Sequence, residues 1–255
     1  MKGRQQNFYG NFAGFYDALT ENVDRARMAG FIVEKLAEQG IDGGIVLDAG
    51  CGTGELCLRL ARAGYDLIGA DPSEEMLEIA RERVMESGED ILLLGQGMEE
   101  LDLYGTIRAA VSTLDTVNHL PDREAVRRAF SRVSLFMEEG GVFLFDVNTH
   151  YKHAQVLGNN AYLYDLGDLY CGWQNEWREE EGVTDISLTF FEEGAGGRFD
   201  RYDECFSETW YAPEFLQAAL EEAGFALLQR FDGYRDRPVT EKSQRVVYLA
   251  KKEGK

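Results

Sequence analysis

Short apolar runs alternate with helical patterns through the first half of the chain. The runs at 45–48, 66–70 and 109–113 are almost continuously apolar, as strands buried on both faces of a sheet are. Between such runs, stretches such as 73–86 place apolar residues three and four positions apart, which is the spacing of a helix. Strands that alternate with helices in this way predict an α/β fold with a mostly parallel sheet covered on both faces.

The pattern sets an expected order of elements along the whole chain, with Ser73 as the N-cap of its helix. In chain order the predicted elements are helix 24–39, strand 45–48, helix 55–63, strand 66–70, helix 73–86, strands 91–94 and 109–113, helix 122–137, strand 142–147, helix 213–223 and the strands 226–231 and 245–250.

The apolar pattern changes after residue 150. Residues 160–211 alternate apolar and polar side chains, and glycine-containing turns interrupt them near 167, 182 and 194–197. Such alternation predicts an antiparallel meander of three or four strands. We therefore expect a core of residues 1–150 and 212–255, with a cap and helix at 1–40, and an inserted antiparallel sheet at 151–211.

The segment D-A-G-C-G-T-G at 48–54 lies between a predicted strand and a predicted helix. Dinucleotide sites use G-x-G-x-x-G and place a pyrophosphate at the helix start, where an acid on the strand would repel it. Asp48 can instead accept from an ammonium, which S-adenosylmethionine (SAM) carries in its methionine part. Asp71 ends the next strand, 17 residues past Gly54, where an acid can hold both hydroxyls of a ribose. The spacing favours SAM over a nicotinamide cofactor.

The motifs V-L-D-A-G-C-G-T-G at 46–54 and G-A-D-P-S-E-E-M-L at 69–77 together resemble the class I SAM-dependent methyltransferases. The segments at 12–19, 114–120 and 145–149 are similar to those of a group of small bacterial members, many without an assigned substrate. The resemblance runs over residues 1–150 and resumes at 213–251. It implies a doubly wound, seven-stranded Rossmann-like sheet, with the inserted meander over the carboxyl ends of the strands.

The expected SAM site combines the glycine loop with the ends of the neighbouring strands. At Gly97 the family usually has an Asp that accepts from the adenine amino group, so adenine is left to the backbone, Gln96 and the Met98 thioether, unless Met98 only packs beneath a helix. Tyr16, with Tyr9, either closes over the cofactor or belongs to an ordinary aromatic cluster. The expected cofactor-binding residues are Tyr16, Asp48, Gly50, Cys51, Gly52, Gly54, Asp71, Pro72, Met76, Gln96, Gly97 and Met98.

Three residues after the fourth strand are candidates for catalysis. Methyl transfer is an in-line displacement, in which the enzyme aligns the acceptor and excludes water. Through the matching motif, Asp115 and Asn118 are expected to orient the acceptor. His119 is either a general base or a loop histidine that packs beside Leu120. The expected acceptor-binding residues are Asn148, Tyr151 and Trp173; most other aromatic residues of the meander are expected to be structural.

Charge and composition restrict the partners. The chain has 46 acidic and 26 basic residues and a formal charge of −20, which opposes binding to nucleic acid. Its four cysteines are scattered and no histidine stands at metal spacing, so no metal site is expected. No apolar run reaches the roughly 20 residues that span a bilayer, and residues 1–6 show no secretory signal, so a cytoplasmic protein is expected.

These observations predict a SAM-dependent methyltransferase that acts on nitrogen or oxygen of a small polar molecule. An RNA (tRNA) methyltransferase and a non-catalytic SAM-binding protein are the alternatives. A homodimer is possible, because an antiparallel insert offers a sheet edge for pairing.

Overall fold

The computed structural model describes residues 12–254, so Phe8 and Tyr9 lie outside the described residues. The helices are α1 (Phe12–Leu19), α2 (Arg25–Glu38), α3 (Glu55–Arg62), α4 (Glu74–Ser87), α5 (Arg123–Phe136) and α6 (Pro213–Glu222). The strands are β1 (Ile45–Ala49), β2 (Asp66–Ala70), β3 (Ile91–Leu94), β4 (Ile107–Ser112), β5 (Met137–Asn148), β6 (Ala161–Asp165), β7 (Leu169–Arg178), β8 (Val183–Gly194), β9 (Arg198–Thr209), β10 (Phe225–Asp232) and β11 (Arg245–Lys252).

The main sheet has seven strands in the order β10-β11-β5-β4-β1-β2-β3. Strands β1 to β5 are parallel, whereas β11 is antiparallel to both β5 and β10. The chain leaves β1 toward β2 on one side and returns to β4 on the other. Ligands of open α/β sheets bind beyond the carboxyl ends of the strands at such a reversal of strand order. The predicted fold class is confirmed.

A second, antiparallel sheet is formed between β5 and α6 in the order β6-β7-β8-β9. Its register is continuous along β8 and β9, which pair from Val183 with Thr209 to Gly194 with Arg198. The predicted antiparallel meander is therefore present, with four strands.

Three clusters of buried apolar side chains hold these layers together. One cluster packs α5 and α6 against one face of the main sheet, and its rings include Phe130 and Phe143, whose centroids are 5.4 Å apart. The second packs α2 and α3 against the opposite face. The third joins α1 and α4 to the inner face of the inserted sheet, where Phe15 meets Phe190 at 5.1 Å. The third cluster fixes the insert above the edge of the sheet that bears the glycine loop.

The boundaries of most elements agree closely with the pattern of apolar residues. The predicted cap is present, since the Ser73 hydroxyl accepts from the Met76 N–H at 3.2 Å. Strand β5 begins at Met137 rather than at the predicted residue 142, because the pairing with β4 shifts register around Gly141. Helix α1, the 3₁₀ turns Met98–Glu100 and Thr116–His119, and a π-helical turn at Lys152–Leu157 were not predicted as helical. No helix within residues 12–254 is both long and apolar enough for a membrane crossing.

Candidate active site

A cavity of about 450 Å³ lies at the carboxyl ends of β1, β2, β4 and β5. Helix α1 and the inserted sheet form its roof, and a pocket of this size is typical of small-molecule sites. Of the residues predicted from the sequence, the cavity is lined by Tyr16, Asp48, Gly50, Cys51, Gly52, Asp71, Pro72, Met76, Asp115, His119, Asn148 and Trp173.

The glycine loop turns sharply because three of its residues adopt left-handed backbone conformations. The backbone φ angles are 81° at Gly50, 52° at Gly52 and 76° at Gly54, and residues with a Cβ rarely adopt such values. A Cβ on Gly50 would also collide with the side chain of Thr116, whereas a Cβ on Gly52 would meet no atom within 4 Å. The loop is thus packed against the turn after β4 and open toward the cavity at Gly52.

Asp48 is a buried acid on β1 with half of its hydrogen-bonding capacity unused. It is 1% exposed, and its Oδ2 accepts from the Cys57 thiol at 3.2 Å. Its Oδ1 has no hydrogen-bond partner among the described residues. Burial, reinforced by the nearby charge of Asp71, raises the pKa of Asp48 to about 7. A cation placed against this carboxylate would satisfy the atom and stabilise its charge.

Asp71 closes the turn between β2 and α4 and braces the glycine loop. Its carboxylate accepts from the Gly52 N–H at 2.8 Å and from the Ser73 N–H at 2.9 Å. Burial raises its pKa, and these two backbone donors oppose that shift. Each oxygen keeps lone pairs for a further donor, so Asp71 can hold the loop and a ligand hydroxyl together.

Helix α1 is tied to the glycine loop by a polar network. Thr53 donates from its hydroxyl to Asp17 at 2.9 Å, and Arg83 donates to the Thr53 carbonyl at 2.8 Å and also to Asp17. The network brings Tyr16 into the cavity wall, where burial and the charge of Asp115 raise the pKa of its hydroxyl. Tyr16 therefore stands close to the residues after β4.

Arg25, at the start of α2, is a cavity residue that the sequence did not indicate. It is 7% exposed, and its guanidinium donates to the Thr20 carbonyl at 3.0 Å, to the Thr20 hydroxyl at 2.6 Å and to Glu55 at 3.1 Å. A guanidinium has five N–H donors, so these contacts leave two of them unused, and Asp17 lies 4.0 Å from Nη2. A lone arginine at the first position of a helix gives no pattern by which it could have been found.

The turn after β4 holds two non-glycine residues in strained conformations. Leu114 and Asp115 have φ of 55° and 63°, which is uncommon for residues with a side chain. Asp146 at the end of β5 stabilises both, since its carboxylate accepts from the Leu114 N–H and the Asp115 N–H at 2.8 Å each. Strain maintained in this way is often found at functional sites, and here it turns the Asp115 side chain into the cavity.

Asp115 belongs to a cluster of charged groups drawn from four elements. Arg245 of β11 donates to Asp115 Oδ1 at 2.8 Å and to Asp146. Asn148 Nδ2 donates to Asp115 Oδ2 at 3.2 Å and to Glu208 Oε2 at 2.8 Å. Burial alone would raise the pKa of Asp115, but the charges of Arg245 and His119 lower it to about 2. Asp115 is therefore ionised at neutral pH.

Glu208 of β9 also lines the cavity, although it belongs to none of the sequence motifs. It is 3% exposed and forms a hydrogen bond with Asp115. Burial and the neighbouring Asp115 charge raise the pKa of Glu208 to about 8, so its carboxyl is mostly protonated at neutral pH. The alternating pattern of β9 indicates which side chains face inward, but it does not show that this one meets Asp115.

Of the other two candidates for catalysis, His119 lines the cavity and Asn118 does not. His119 lines the cavity with its ring 5.3 Å from that of Phe206, and burial lowers its pKa despite the nearby Asp115. Asn118 is fully buried outside the cavity wall. Its Nδ2 donates to the Thr209 carbonyl and its Oδ1 accepts from the Asn148 N–H. Asn118 joins the turn to β5 and β9 through these two hydrogen bonds.

The adenine residues proposed from the sequence do not reach the cavity wall. Met98 is 4% exposed within the main core and Gln96 bonds to the backbone of Asp102. Gly54 packs against Ala80 of α4, where an added Cβ would lie 3.1 Å from the Ala80 Cβ. The predicted residues outside the cavity wall are Gly54, Gln96, Gly97, Met98, Asn118 and Tyr151.

Four aromatic residues of the insert line the cavity, namely Tyr162, Tyr164, Trp173 and Phe206, whereas Tyr170, Trp177, Tyr202 and Trp210 do not. Trp173 lines it and donates from its indole to Asn175 at 2.7 Å. Trp177 stacks on His153 at 5.6 Å, and Trp210 meets His150 at 5.1 Å. The expectation that most of these rings are structural agrees with this arrangement.

Comparison with known proteins identifies the family. Residues 46–141 match the family described as a methyltransferase domain. A methyltransferase-family protein of Geobacillus sp. (strain WCH70) is 32% identical over 96% of this chain and 99% of its own length. The glycine/sarcosine N-methyltransferase of Parasynechococcus marenigrum (strain WH8102) is 26% identical over 91% of this chain and 80% of its own length.

The solved structures include a SAM-dependent methyltransferase from Clostridium acetobutylicum ATCC 824. It is 31% identical to this chain, covers 96% of it and 99% of its own length, and superposes with a TM-score of 0.88. Full-length similarity at this level, together with the fold and the cavity, shows that the chain belongs to the class I SAM-dependent methyltransferases and uses SAM as its methyl donor.

Proposed function

We propose that the protein transfers a methyl group from SAM to a nitrogen or oxygen of a small polar molecule. The observation that carries this proposal is that one cavity joins the glycine loop to the cluster of Asp115, His119 and Glu208. Gly50 and Thr116 are in contact range, so the two ends of the cavity are adjacent. A donor held at the loop would present its methyl group toward that cluster.

The residues present fit the polar groups of SAM. The unpartnered Oδ1 of Asp48 suits the ammonium of the methionine part, and the two remaining donors of Arg25 suit its carboxylate. Asp71 has the lone pairs to accept from the ribose hydroxyls while it braces the loop. Gly52 leaves open space for close approach of the ligand. Bound SAM supplies an activated methyl group on a sulfonium.

The chain itself supplies alignment and exclusion of water. Residues of α1 and of the insert cover part of the cavity, which supports a reaction partly protected from solvent. Asp115 is held in one orientation by Arg245 and Asn148, so it can fix the acceptor in line with the methyl group. Asn118 maintains this arrangement through its bonds to β5 and β9.

A small acceptor is favoured over RNA. The chain carries a formal charge of −20, which opposes binding to the phosphates of RNA. The name of the glycine/sarcosine N-methyltransferase relative is compatible with a small polar acceptor, and so is that of the sugar N-methyltransferase KedS8, whose 18% identity shows the fold alone.

The test is to incubate the protein with methyl-labelled SAM and a pool of cell metabolites, and separately with total RNA. We expect label in a small molecule and none in RNA. An Asp71→Ala control, with its cofactor site damaged, should give much less labelled product at a SAM concentration below saturation. Label found only in RNA would contradict the proposal for a small acceptor, and failure to bind SAM would contradict the whole assignment of the site.

A further inference from the structure

The carboxyl groups of Asp115 and Glu208 meet at the acceptor end of the cavity, and Glu208 comes from the inserted sheet. One ligand atom of each, and one of His119, lie within 4.8 Å of one another. The amide of Asn148 donates to both carboxyl groups and so holds them side by side. Two carboxyls at this distance cannot both ionise easily without a cation between or beside them.

The guanidinium of Arg245, which lies beside the two carboxyl groups, already forms two ion pairs. Arg245 is ion-paired with Asp115 at 2.8 Å and with Asp146, whose carboxylate forms no ion pair with any other cation among residues 12–254. Lys152 also lines the cavity, but burial and the charge of Arg245 lower its pKa. With His119, Arg245 and Lys152 around it, Glu208 still retains its proton to a pH of about 8, because burial and Asp115 raise its pKa.

The side-chain oxygen of Asn148, which lies beside the two carboxyl groups, receives no hydrogen bond from the described residues. Asn148 is 3% exposed and lines the cavity, and its Oδ1 has no hydrogen-bond partner among residues 12–254. A ligand group with several N–H donors and one positive charge would satisfy this oxygen and let both carboxyls ionise. A hydroxyl group has only one proton to donate and brings no charge.

We propose that Asp115 and Glu208 together receive the amino group of the acceptor, and that Glu208 accepts its proton, so that the protein is an N-methyltransferase. This inference rests on the proposed function and narrows its acceptor to a primary or secondary amine. Asp115 stays ionised and orients the ammonium. The carboxylate of Glu208 takes one proton from the ammonium, which leaves a neutral amine and a Glu208 carboxyl.

The rest of the reaction balances without another reactant. The nitrogen lone pair forms the bond to the methyl carbon as the carbon–sulfur bond breaks, and the electron pair of that bond remains on sulfur as a thioether. The product is a methylated ammonium, and Glu208 returns its proton to solvent. A general base of this kind contributes about 100- to 10,000-fold to a rate when its pKa lies near the working pH.

A divalent metal ion at the same three side chains is the competing occupant. The ion pair between Arg245 and Asp115 opposes it, since a dication there would lie close to a guanidinium. An ammonium group carries half the charge of a divalent metal ion. It also has N–H donors for the unpartnered Oδ1 of Asn148 and for the two carboxyl groups. The two occupants can be separated by experiment.

Sinefungin is a suitable probe because it carries an amine where SAM carries the methylsulfonium, and is otherwise like S-adenosylhomocysteine. Its ammonium points from the cofactor position toward the acceptor end. Calorimetry with both compounds at pH 7 should show at least about tenfold tighter binding of sinefungin, as one charge-assisted interaction provides. In buffers of different ionisation enthalpy, sinefungin alone should release up to about one proton, as Glu208 ionises.

Glu208→Gln removes the titrating group and keeps its shape. It should bind S-adenosylhomocysteine as the wild type does, yet lose the proton release and most of the preference for sinefungin. The matched control is Glu204→Gln, which alters a half-buried acid on the same face of β9 outside the cavity wall and should keep both properties. Proton release is measured on the wild type, so the test does not depend on a variant that folds.

The outcomes separate this inference from the one it rests on. If neither compound binds, the cofactor site is wrong and the proposed function fails. If both bind equally and without proton release, the protein remains a methyltransferase but its acceptor is not received by this pair. Sinefungin binding that requires added Mg²⁺ or Mn²⁺ and is lost with a chelator would overturn the proposal in favour of a metal site. A labelled product with an O-methyl group would overturn it as well.

Discussion

The cofactor end and the acceptor end of the cavity are built from different lengths of chain. The glycine loop, Asp48 and Asp71 come from 24 consecutive residues of one β-α-β unit. At the acceptor end, Asp115, Asn148, Glu208 and Arg245 meet although 130 residues separate the first from the last. A site formed by residues close together in sequence depends on one backbone turn, so the spacing of its residues identifies it. A site assembled from distant strands depends on the register of both sheets, and leaves no short motif.

The comparison predicts that damage to the acceptor end affects chemistry rather than cofactor affinity. Asp115→Asn is the sharpest change, because Asn tolerates the left-handed backbone found at this position. We expect methyl transfer to slow by about 100-fold, since loss of the orienting charge lets the acceptor stray from the line of attack. Affinity for SAM, measured by calorimetry, should hardly change. A loss of affinity as large as the loss in rate would place Asp115 in the cofactor site.

A substitution at the cofactor end should instead act mainly on affinity for SAM. Asp71→Ala removes a carboxylate that braces Gly52 and is proposed to hold the ribose. The loss of a charge-assisted hydrogen bond costs about 1.5–3 kcal/mol, so affinity for SAM should fall at least about tenfold. Glu74→Ala, an exposed acid close by in the sequence, is the control. An unchanged dissociation constant in folded Asp71→Ala protein would mean that the ribose is bound elsewhere.

The contact between the two ends can be tested through the backbone. Gly50→Ala forces a left-handed conformation on a residue with a Cβ and drives that atom into Thr116. Gly40→Ala imposes a similar backbone strain, at a φ of 76°, with no atom near the added Cβ. Both should lose about 1–2 kcal/mol from strain, and Gly50→Ala should lose about 1–3 kcal/mol more from overpacking. Equal melting temperatures for the two variants would contradict the close packing of loop and turn.

The last variant concerns the dependence of stability on pH. The pKa of Glu208 rises from an ordinary value of 4.5 to about 8 on folding, so the folded protein binds more protons than the unfolded one between these values. Its contribution to stability is therefore present below pH 4.5 and lost as the pH rises through 8. Glu208→Gln should gain in melting temperature relative to the wild type as the pH is raised from 5 to 8.5, because only the wild type loses this contribution. A constant difference across that range would mean that Glu208 does not titrate there.

The same contrast explains how much of the molecule could be predicted from the sequence. The strands 66–70 and 91–94 match β2 and β3 at both ends, because nearly continuous apolar runs between turns leave little freedom. Asp48 and Asp71 could be assigned to the cavity for the same local reason. Glu208 could not, because its partner Asp115 lies in the turn after β4 of the main sheet and their meeting depends on how the cluster around Phe190 positions the insert.

The position of the residues predicted for adenine, outside the cavity wall, also has a physical cause. Met98 and Gln96 follow β3 in the expected order, but the turn Met98–Glu100 directs the methionine side chain into the core beneath α5. Asn118 follows β4 as expected, but its side chain does not line the cavity. The 3₁₀ turn after Asp115 directs that side chain toward Thr209. Single-turn helices of this kind are too short to leave a periodic signal.

The most direct test of the two-ended cavity is a crystal structure with S-adenosylhomocysteine bound. The account predicts the ribose hydroxyls on Asp71, the amino group on Asp48, the carboxylate on Arg25 and the sulfur facing Asp115 and Glu208. A ligand bound in the cavity with its sulfur turned away from these two carboxyls, or bound outside the cavity altogether, would contradict it.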